Sequence, residues 1–464
     1  MERHNRREKL LRRALLSPLL AAACLLSAVP ALASDGVGTD CIVKYKESAA
    51  WLAEDDSVPF DVVSKAEALY LDRAGLLEWY EPDGEAELLG DALSPWYEDD
   101  KWDLALVQAD AAFESGHLGQ GVRVGVLDSG VNPRALLADC LLPGSNCMED
   151  ADPDDTADNY GHGTQVAGLI AGSGEDGYTG AAPGAEIVPL KITDGKAIMV
   201  SAVCRGIYSA IDDYGCQVLN LSLGVTSDYN VLREAVAYAE EQGVLIVSAV
   251  GNNGNAGIYY PAAYDTVIGI GSVDRTGSVY YRSNRNDTVF LTAPGVNVKT
   301  AGHLGGYVTA SGTSFAVPYV TAAAAVLLSI DDSLAPAELR QILADTATDK
   351  GKVGWDEDYG YGILNLSGCV AALTGEGETS DTPCAFTSAS TLRNDTGADI
   401  EATYLLAEYD ENGKCLGVKL WPLTLPAGGS VTLQPPEEDT FYAQLVYETA
   451  TMIPLAEARR SPSE

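Results

Sequence analysis

Short apolar runs separated by amphipathic segments form the middle of the chain, at 122–127, 186–192, 217–223, 244–250 and 266–273. Near-continuous apolar strands joined by helices are typical of a parallel sheet that is covered on both faces. The helices predicted at 200–214 and 229–242 are followed by Gly215 and Gly243, and glycine is favoured where a helix ends. The pattern therefore predicts an α/β domain with a doubly wound, mostly parallel sheet.

A longer apolar segment at 306–330 reads GYVTASGTSFAVPYVTAAAAVLLSI and places Ser314 at the start of a predicted buried helix. The free N–H groups and the dipole of a first helical turn favour negative charge, so an oxyanion formed by attack of Ser314 would be stabilised there. Pro318 is tolerated in that turn. A serine at this place is more often only a helix cap, so the assignment depends on partners elsewhere in the chain.

Regions of different character flank this α/β domain. Residues 41–89 predict a small α+β unit, and an acidic connector containing Gly and Pro follows at 90–100. The composition of 375–383 is that of a linker. Beyond it, strand-like alternation around the turn at 411–413 predicts a small β-sandwich module.

The first residues of the chain predict a secretory signal peptide at 1–33. Basic residues precede an apolar run at 14–29, and the small residues at 31–33 suit cleavage after Ala33. A membrane anchor is the alternative, which the shortness of the run disfavours. In an oxidising compartment a disulfide between Cys140 and Cys147 is predicted, because they flank a short turn-prone loop. Cys204 and Cys216 should not pair, since the residues between them read as helix, and a pairing of Cys369 with Cys384 stays open.

Charge and residue spacing narrow the set of partners. The 464 residues include 67 acidic and 29 basic ones, a net charge of −38, which argues against nucleic acid and anionic membranes as partners. No Cys or His spacing resembles a zinc site. The acidic loop at 149–162 could bind calcium through its carboxylates, although such runs are more often solvated loops. No cofactor is required, and calcium remains an open alternative.

Histidine is scarce enough to be informative. His4 leaves with the signal peptide, and His162 is the one that lies between glycines directly before a predicted helix. A serine needs an oriented base to attack an amide, and Asp128 at the end of a predicted buried strand could orient the His162 ring. Alone, the histidine could be structural and the aspartate a turn residue. Together with Ser314 they predict a catalytic constellation.

Three motifs carry a resemblance to a known family. DSG at 128–130, GHGTQVAG at 161–168 and GTSFAVP at 312–318, in this order, resemble the subtilisin-like serine endopeptidases, or subtilases, over residues 102–372. The resemblance implies that Asp128, His162 and Ser314 are the catalytic triad. It also implies that Asn252 and the backbone N–H of Ser314 hold the oxyanion.

The same resemblance assigns substrate contacts. Ser222, Leu223 and Gly224 would form an edge strand that pairs with the substrate backbone. Gly251 would line the pocket for the side chain before the scissile bond. Tyr259 is bulky where relatives often have small residues, which leaves the pocket size open.

The resemblance also implies a domain organisation, in which the early α+β unit resembles the inhibitory propeptide of a zymogen. We expect its cleavage near 90–102. The expected units are a signal peptide at 1–33, a propeptide at 34–100, a peptidase domain at 101–374, a linker at 375–383 and a β-sandwich accessory domain at 384–464.

These observations predict a secreted, monomeric serine endopeptidase that cleaves protein or peptide substrates through an acyl-enzyme intermediate. Its own propeptide would be its intramolecular inhibitor, and retention at the cell surface is an alternative to free release. A rival hypothesis is a catalytically silent protein of the same fold that binds peptides or a surface. A narrower rival is a peptidase restricted to the maturation of one partner protein.

Overall fold

The protein is described by a computed structural model. The predicted signal peptide, the predicted linker at 375–383 and the predicted turn at 411–413 lie outside the described residues. Those residues are 40–53, 57–89, 91–94, 101–133, 136–174, 178–374, 384–388, 391–394, 398–409, 415–434, 441–448 and 459–460.

The N-terminal unit contains a helix and a three-stranded antiparallel sheet with strand order β2-β1-β3. Its helix begins after Ser64, whose hydroxyl accepts a hydrogen bond from the backbone N–H of Glu67 (3.3 Å), as an N-cap does. This is the α+β unit that the sequence predicts. Its elements are β1 (Cys41–Tyr45), β2 (Asp61–Val63), α1 (Lys65–Arg73) and β3 (Leu77–Pro82).

Two further strands, β4 (Glu85–Leu88) and β5 (Asp91–Ser94), follow this unit and pair with other parts of the chain. β4 lies between Leu223–Gly224 and Ile198–Met199 in a three-stranded sheet, and β5 lies at the edge of another sheet beside Tyr307–Ser311. The connector predicted at 90–100 therefore contains a strand. Composition does not reveal it, because its partner is distant in sequence.

The central domain is built on a seven-stranded sheet of order β14-β13-β12-β10-β6-β8-β7, in which all of the pairings are parallel. Each of the predicted apolar runs forms one of its strands, so the doubly wound α/β prediction is confirmed. The order reverses at β6, and in such sheets ligands bind at the carboxyl ends of the strands near that reversal. The elements are α2 (Trp102–Leu106), α3 (Ala109–Glu114), β6 (Arg123–Asp128), β7 (Ser145–Asn146), α4 (His162–Ala171), β8 (Glu186–Lys191), β9 (Ile198–Met199), α5 (Val200–Asp212), β10 (Val218–Leu221), β11 (Leu223–Gly224), α6 (Asn230–Glu241), β12 (Leu245–Ala249), β13 (Ile268–Val273), β14 (Leu291–Pro294), β15 (Val298–Ala301), β16 (Tyr307–Ser311), α7 (Val317–Ile330), α8 (Pro336–Thr346) and α9 (Leu366–Thr374).

Helix α7 packs in the middle of the main apolar core. A single turn of 3₁₀ helix, Thr313–Phe315, precedes it, and Pro318 lies in its first turn as predicted. The segment Thr313–Ile330 is long and apolar enough to cross a membrane, but 89% of it is buried inside the protein. It is therefore the core helix that the sequence predicts.

The C-terminal unit has two antiparallel sheets, with orders β17-β18-β21 and β20-β19-β22-β23. Leu392 of one sheet and Tyr404 and Val446 of the other belong to one buried cluster, so the sheets share a core as a sandwich does. The strands are β17 (Cys384–Ser388), β18 (Thr391–Asn394), β19 (Ile400–Tyr409), β20 (Cys415–Leu425), β21 (Ser430–Thr432), β22 (Phe441–Glu448) and β23 (Arg459–Arg460).

The predicted disulfide between Cys140 and Cys147 is wrong, because both residues are free thiols. The loop between them does not close as a turn. It runs beside β8, where the carbonyl of Cys140 accepts from Ile187 N and the N–H of Cys147 donates to the carbonyl of Lys191. Four residues of strand span about 13 Å, well beyond the roughly 7 Å that a disulfide tolerates. Burial raises the pKa of the Cys140 thiol to about 11 and that of Cys147 to about 12.

The other predictions about cysteine concern Cys204 and Cys369. Cys204 and Cys216 are both buried free thiols, as predicted from the helix between them. Cys369 is a free thiol within 3.1 Å of the hydroxyl of Thr346, so the pairing with Cys384 that the sequence left open is not formed.

Candidate functional site

Asp128 and His162 meet at the carboxyl end of β6. Asp128 is the last residue of that strand and is fully buried, and His162 begins α4. The ring nitrogen Nδ1 of His162 lies 2.9 Å from Oδ1 and 2.8 Å from Oδ2 of Asp128. The carboxylate therefore fixes the ring, and Nε2 is left for another partner.

A second carboxylate, Asp158, holds this corner together, and it was not among the predicted site residues. It accepts hydrogen bonds from Ser129 Oγ (2.9 Å), from Thr164 N (2.9 Å) and from Gly161 N (2.6 Å). These contacts link the end of β6 to the start of α4. The signal in the sequence is an aspartate four residues before His162, which reads only as part of an acidic loop.

Ser314 lies in the 3₁₀ turn before α7, and the ring of the next residue, Phe315, is 5.2 Å from the His162 ring. The hydroxyl of Ser314 donates to the carbonyl of Ser222 (2.9 Å). Among the described residues, buried Nε2 of His162 has no hydrogen-bond partner. Such an unpaired buried group costs about 1–3 kcal/mol, and a reactive centre is where that cost is expected.

The carbonyl oxygen of Leu89 lies between two N–H donors beside Ser314. It accepts from the backbone N–H of Ser314 (2.9 Å) and from the side-chain amide Nδ2 of Asn252. Oδ1 of Asn252 accepts from the backbone N–H of Thr313 (3.0 Å), which fixes the orientation of the amide. The two groups predicted as an oxyanion site thus bind one carbonyl of the chain itself.

The residues before Leu89 pair with the predicted edge strand. The N–H of Leu89 donates to the carbonyl of Ser222 (3.1 Å), Leu88 is opposite Leu223, and Glu87 is opposite Gly224. On its other side, β4 pairs with Ile198–Met199 of β9. A peptide that adds a strand in this way is held by its backbone in a single register.

The chain continues along the cleft beyond Leu89. In β5, Asp91 is opposite Ser311 of β16, and Ser94 is opposite Thr309. Residues on both sides of the Leu89 carbonyl are therefore paired with the central domain. The Leu89 carbonyl is held beside Ser314.

A buried polar network lies behind the nucleophile candidate, and the sequence pattern did not single it out. Thr321 Oγ1 donates to Asn220 Oδ1 (3.0 Å), and Asn220 Nδ2 donates to Ser222 Oγ (2.9 Å). Ser222 Oγ in turn donates to the carbonyl of Ser314 (2.8 Å). The network fixes the backbone of Ser314. Asn220 was visible as the polar residue inside an otherwise apolar strand.

Gly251 and Tyr259 define the predicted pocket. Gly251 adopts φ of 106°, a conformation that favours glycine. A methyl group added to it would lie 2.7 Å from Cδ2 of Tyr259. The tyrosine ring, only 2% exposed, thus occupies the space next to Gly251.

The N-terminal unit docks on the first turns of two helices. Glu81 accepts from the backbone N–H groups of Asn230 (3.1 Å) and Val231 (2.9 Å) in α6. Asp83 accepts from the N–H (3.0 Å) and the hydroxyl (2.5 Å) of Ser201 in α5. Carboxylates at helix N-termini satisfy orphan donors and interact favourably with the dipole. Burial raises the pKa of the Asp83 carboxyl, and the hydrogen bonds from Ser201 oppose that rise.

The acidic loop that left calcium open uses its carboxylates locally. Asp152 accepts from Asp154 N and Asp155 from Ala157 N, each at 3.2 Å. The buried ammonium of Lys191 donates to the carbonyl of Ala157 (2.6 Å) and lies 3.8 Å from Asp155. Within the described ranges, no group of three or more His, Cys, Asp or Glu side chains is placed to hold a metal ion.

Comparison with known proteins gives a consistent match. The sequence profile of the Subtilase family matches residues 119–362. Subtilisin BL of Lederbergia lenta is 36% identical over 267 residues, which are 57% of this chain and 96% of that protein. The thermostable alkaline protease of Halalkalibacterium halodurans is 32% identical over 354 residues, 75% of this chain and 96% of that protein.

A further relative is longer than this chain. The minor extracellular protease Epr of Bacillus subtilis is 34% identical over 269 residues, which are 57% of this chain but only 41% of Epr. The range matched by the family profile contains Asp128, His162 and Ser314. The chain therefore belongs to the subtilase family of serine endopeptidases.

Proposed function

We propose that the protein is a secreted endopeptidase whose catalytic triad is Asp128, His162 and Ser314. The observation that carries the proposal is the Leu89 carbonyl oxygen, which accepts from Ser314 N and from Asn252 Nδ2. Donors aimed at a carbonyl oxygen next to a serine are what acyl transfer requires, because negative charge develops on that oxygen. Protein and peptide substrates would bind as Glu85–Leu88 does, as a strand beside β11.

In the proposed reaction the Ser314 hydroxyl turns from the Ser222 carbonyl to Nε2 of His162, which takes its proton as the oxygen attacks the substrate carbonyl carbon. Asn252 and Ser314 N stabilise the tetrahedral oxyanion. His162 then gives the proton to the leaving amine, and an acyl-enzyme remains. Water, deprotonated by His162, hydrolyses that ester and restores the free serine. Asp128 keeps the ring oriented and stabilises its charged form.

The first substrate would be the chain itself. The Leu89 carbonyl beside Ser314 supports cleavage after Leu89, at the N-terminal limit of the 90–102 region expected from the sequence. After cleavage, the unit that ends at Leu89 would remain docked through Glu81 and Asp83 and inhibit the enzyme as a propeptide. The propeptide boundary would then lie at residue 89 and not at residue 100.

Secretion is proposed on the predicted signal peptide and on a relative whose name describes an extracellular protease. We propose that the mature enzyme is a monomer with the C-terminal sandwich as an accessory domain. Calcium is not part of the proposed chemistry.

One observation favours the rival hypothesis of a silent binding protein. The Ser314 hydroxyl donates to the Ser222 carbonyl, and Nε2 of His162 has no partner among the described residues. A cleft that only binds peptides would keep this arrangement. In an enzyme, the contact with Ser222 would be one rotamer of Ser314. The hydrogen bond from Ser314 to His162 would form with substrate, because catalytic hydrogen bonds often form only in the reacting complex.

Labelling with a fluorophosphonate probe separates the two hypotheses, since the probe modifies only an activated serine. The sample is the folded, secreted protein after removal of the N-terminal unit, and the modified residue is mapped by mass spectrometry. Modification of Ser314, absent in Ser314→Ala and retained in Ser333→Ala, supports the enzyme. A folded protein that stays unlabelled would be the binding protein.

A further inference from the structure

The side chain before the proposed scissile bond shares its pocket with Tyr259. A methyl group added to Gly224 would lie 2.8 Å from Cδ1 of Tyr259 and 3.0 Å from Cδ1 of Leu89. The tyrosine ring also lies against Gly251 on its other edge. Leu89 and Tyr259 belong to the same buried cluster and are 4% and 2% exposed. The ring therefore fills the part of the pocket that the two glycines line, and Leu89 occupies what remains.

The hydroxyl of the same tyrosine contacts a second substrate position. Tyr259 OH donates to Oε1 of Glu87 at 2.7 Å. Glu87 is the third residue counted back from the proposed scissile bond, and Leu89 is the first. Side chains two apart in a strand point to the same face, so one tyrosine reaches both.

The hydroxyl is held in place by the protein. Nδ2 of Asn253 donates to it (2.8 Å), and the backbone N–H of Asn253 donates to buried Asn284 (2.9 Å). Because the hydroxyl accepts from Asn253, its own proton is directed to the carboxylate. Burial and the contact with Glu87 raise the pKa of Tyr259 to about 12, so the proton stays on the hydroxyl at any pH near neutral.

From these contacts we propose that Tyr259 determines substrate specificity, selecting a leucine-sized aliphatic side chain at the first position and a carboxylate at the third. The inference rests on the proposed function, since it uses the register of the chain in the cleft. An aromatic side chain at the first position would have to displace the buried ring of Tyr259. An apolar side chain at the third position would leave the tyrosine hydroxyl without its acceptor.

The test uses quenched fluorescent peptides with the chain's own sequence EAELLGDALS and the mature enzyme freed of the N-terminal unit. One peptide replaces the third-position Glu by Met, and another replaces the first-position Leu by Phe. Because Glu87 is exposed, we expect kcat/KM for the Glu peptide to exceed that for the Met peptide by only roughly 3- to 10-fold. The Phe peptide should be cleaved more slowly than the Leu peptide.

Variants of Tyr259 test whether this residue causes the two preferences. Tyr259→Phe should bring the Glu-to-Met ratio close to one and keep the preference for Leu, and Tyr259→Ser should also admit Phe. Tyr238→Phe is the matched control, because it removes a tyrosine–carboxylate hydrogen bond (2.6 Å to Asp212) on the helix surface. It should keep both preferences.

The outcomes are distinguishable. Equal cleavage of the Glu and Met peptides by the wild-type enzyme would overturn the inference, and so would a ratio that persists in Tyr259→Phe. In both cases hydrolysis itself would leave the proposed function standing. No cleavage of any of the peptides by the folded enzyme would overturn the proposed function and this inference with it.

Discussion

The N-terminal part of the chain contacts the central domain in two regions, one through side chains and the other through the backbone. On the helices α5 and α6, Asp83 and Glu81 bind orphan N–H groups, a contact that depends on side-chain chemistry. In the cleft, Glu85–Leu88 pairs through its backbone, and Leu89 presents its carbonyl to Ser314 and Asn252. The helix contacts should therefore set how long the unit stays docked, and the cleft contacts should set which bond is cut.

The largest expected effect is the loss of turnover when the proposed nucleophile in the cleft is removed. Ser314→Ala removes the proposed nucleophile, and we expect turnover to fall by on the order of a million-fold, the magnitude known for the same change in subtilisin. The chain should then stay at full length while the N-terminal unit stays docked. Gel electrophoresis of the purified protein over days checks this, and cleavage of the variant at the wild-type rate would contradict it.

Asn252→Ala should have the next largest effect, because it removes one of the two donors to the Leu89 carbonyl. Loss of such a donor costs about 10²- to 10³-fold in kcat, again a value known from subtilisin. The readout is kcat for a peptide substrate. Asn255→Ala is the control, since its side chain accepts from Gly257 N in an exposed loop (2.7 Å). Equal loss in both variants would argue for a structural effect.

Removal of the helix contacts should leave the cleavage site unchanged and shorten the time for which the cleaved N-terminal unit stays docked. Glu81→Ala or Asp83→Ala should each weaken retention of the cleaved unit by about 0.5–2 kcal/mol, as for other helix caps, or roughly 2- to 30-fold. Gel filtration of the processed protein measures the retained fraction. Glu78→Ala serves as the control, because the exposed Glu78 side chain forms an ion pair with Lys44 (3.8 Å) within the N-terminal unit. If cleavage shifted to another bond instead, the separation of roles would fail.

The smallest effect concerns pH. Because burial raises the pKa of Asp83 in the docked state, the docked form binds a proton more tightly than the free form. The contribution of Asp83 to docking should grow as the pH falls toward the ordinary aspartate value of 3.8 and shrink as the pH rises through the raised pKa. Retention by the wild type, relative to Asp83→Asn, should increase as the pH falls toward 3.8. A constant ratio would contradict this account of Asp83.

Local sequence patterns predict most of the fold of the central domain. Apolar runs predicted the strands of the parallel sheet, and Gly215 and Gly243 at positive φ (62° and 76°) follow α5 and α6 as expected. The position of Ser314 before α7 was also visible, because turn residues precede a long apolar segment. Each of these features depends on neighbours within a few residues, which is what a sequence pattern records.

Features that depend on distant pairing were not predictable in this way. Strand β5 forms by pairing with β16, which is distant in sequence. The composition of the acidic connector at 90–100 therefore does not reveal this strand. Cys140 and Cys147 looked like the ends of a turn, but pairing with β8 extends the loop between them. Asp158 accepts hydrogen bonds from Ser129, which follows β6, and from Thr164 in α4, and these two residues are distant in sequence. None of these partners is visible from local composition.

The central claim is that the chain holds its own Leu89–Gly90 bond as the first substrate. Intact mass spectrometry of the N-terminal fragment at the earliest stage of processing tests it most directly, because later trimming of the mature enzyme does not change that fragment's C-terminus. The account predicts a fragment that ends at Leu89 and is absent in Ser314→Ala. A first fragment that ends at any residue between 90 and 102 would contradict it.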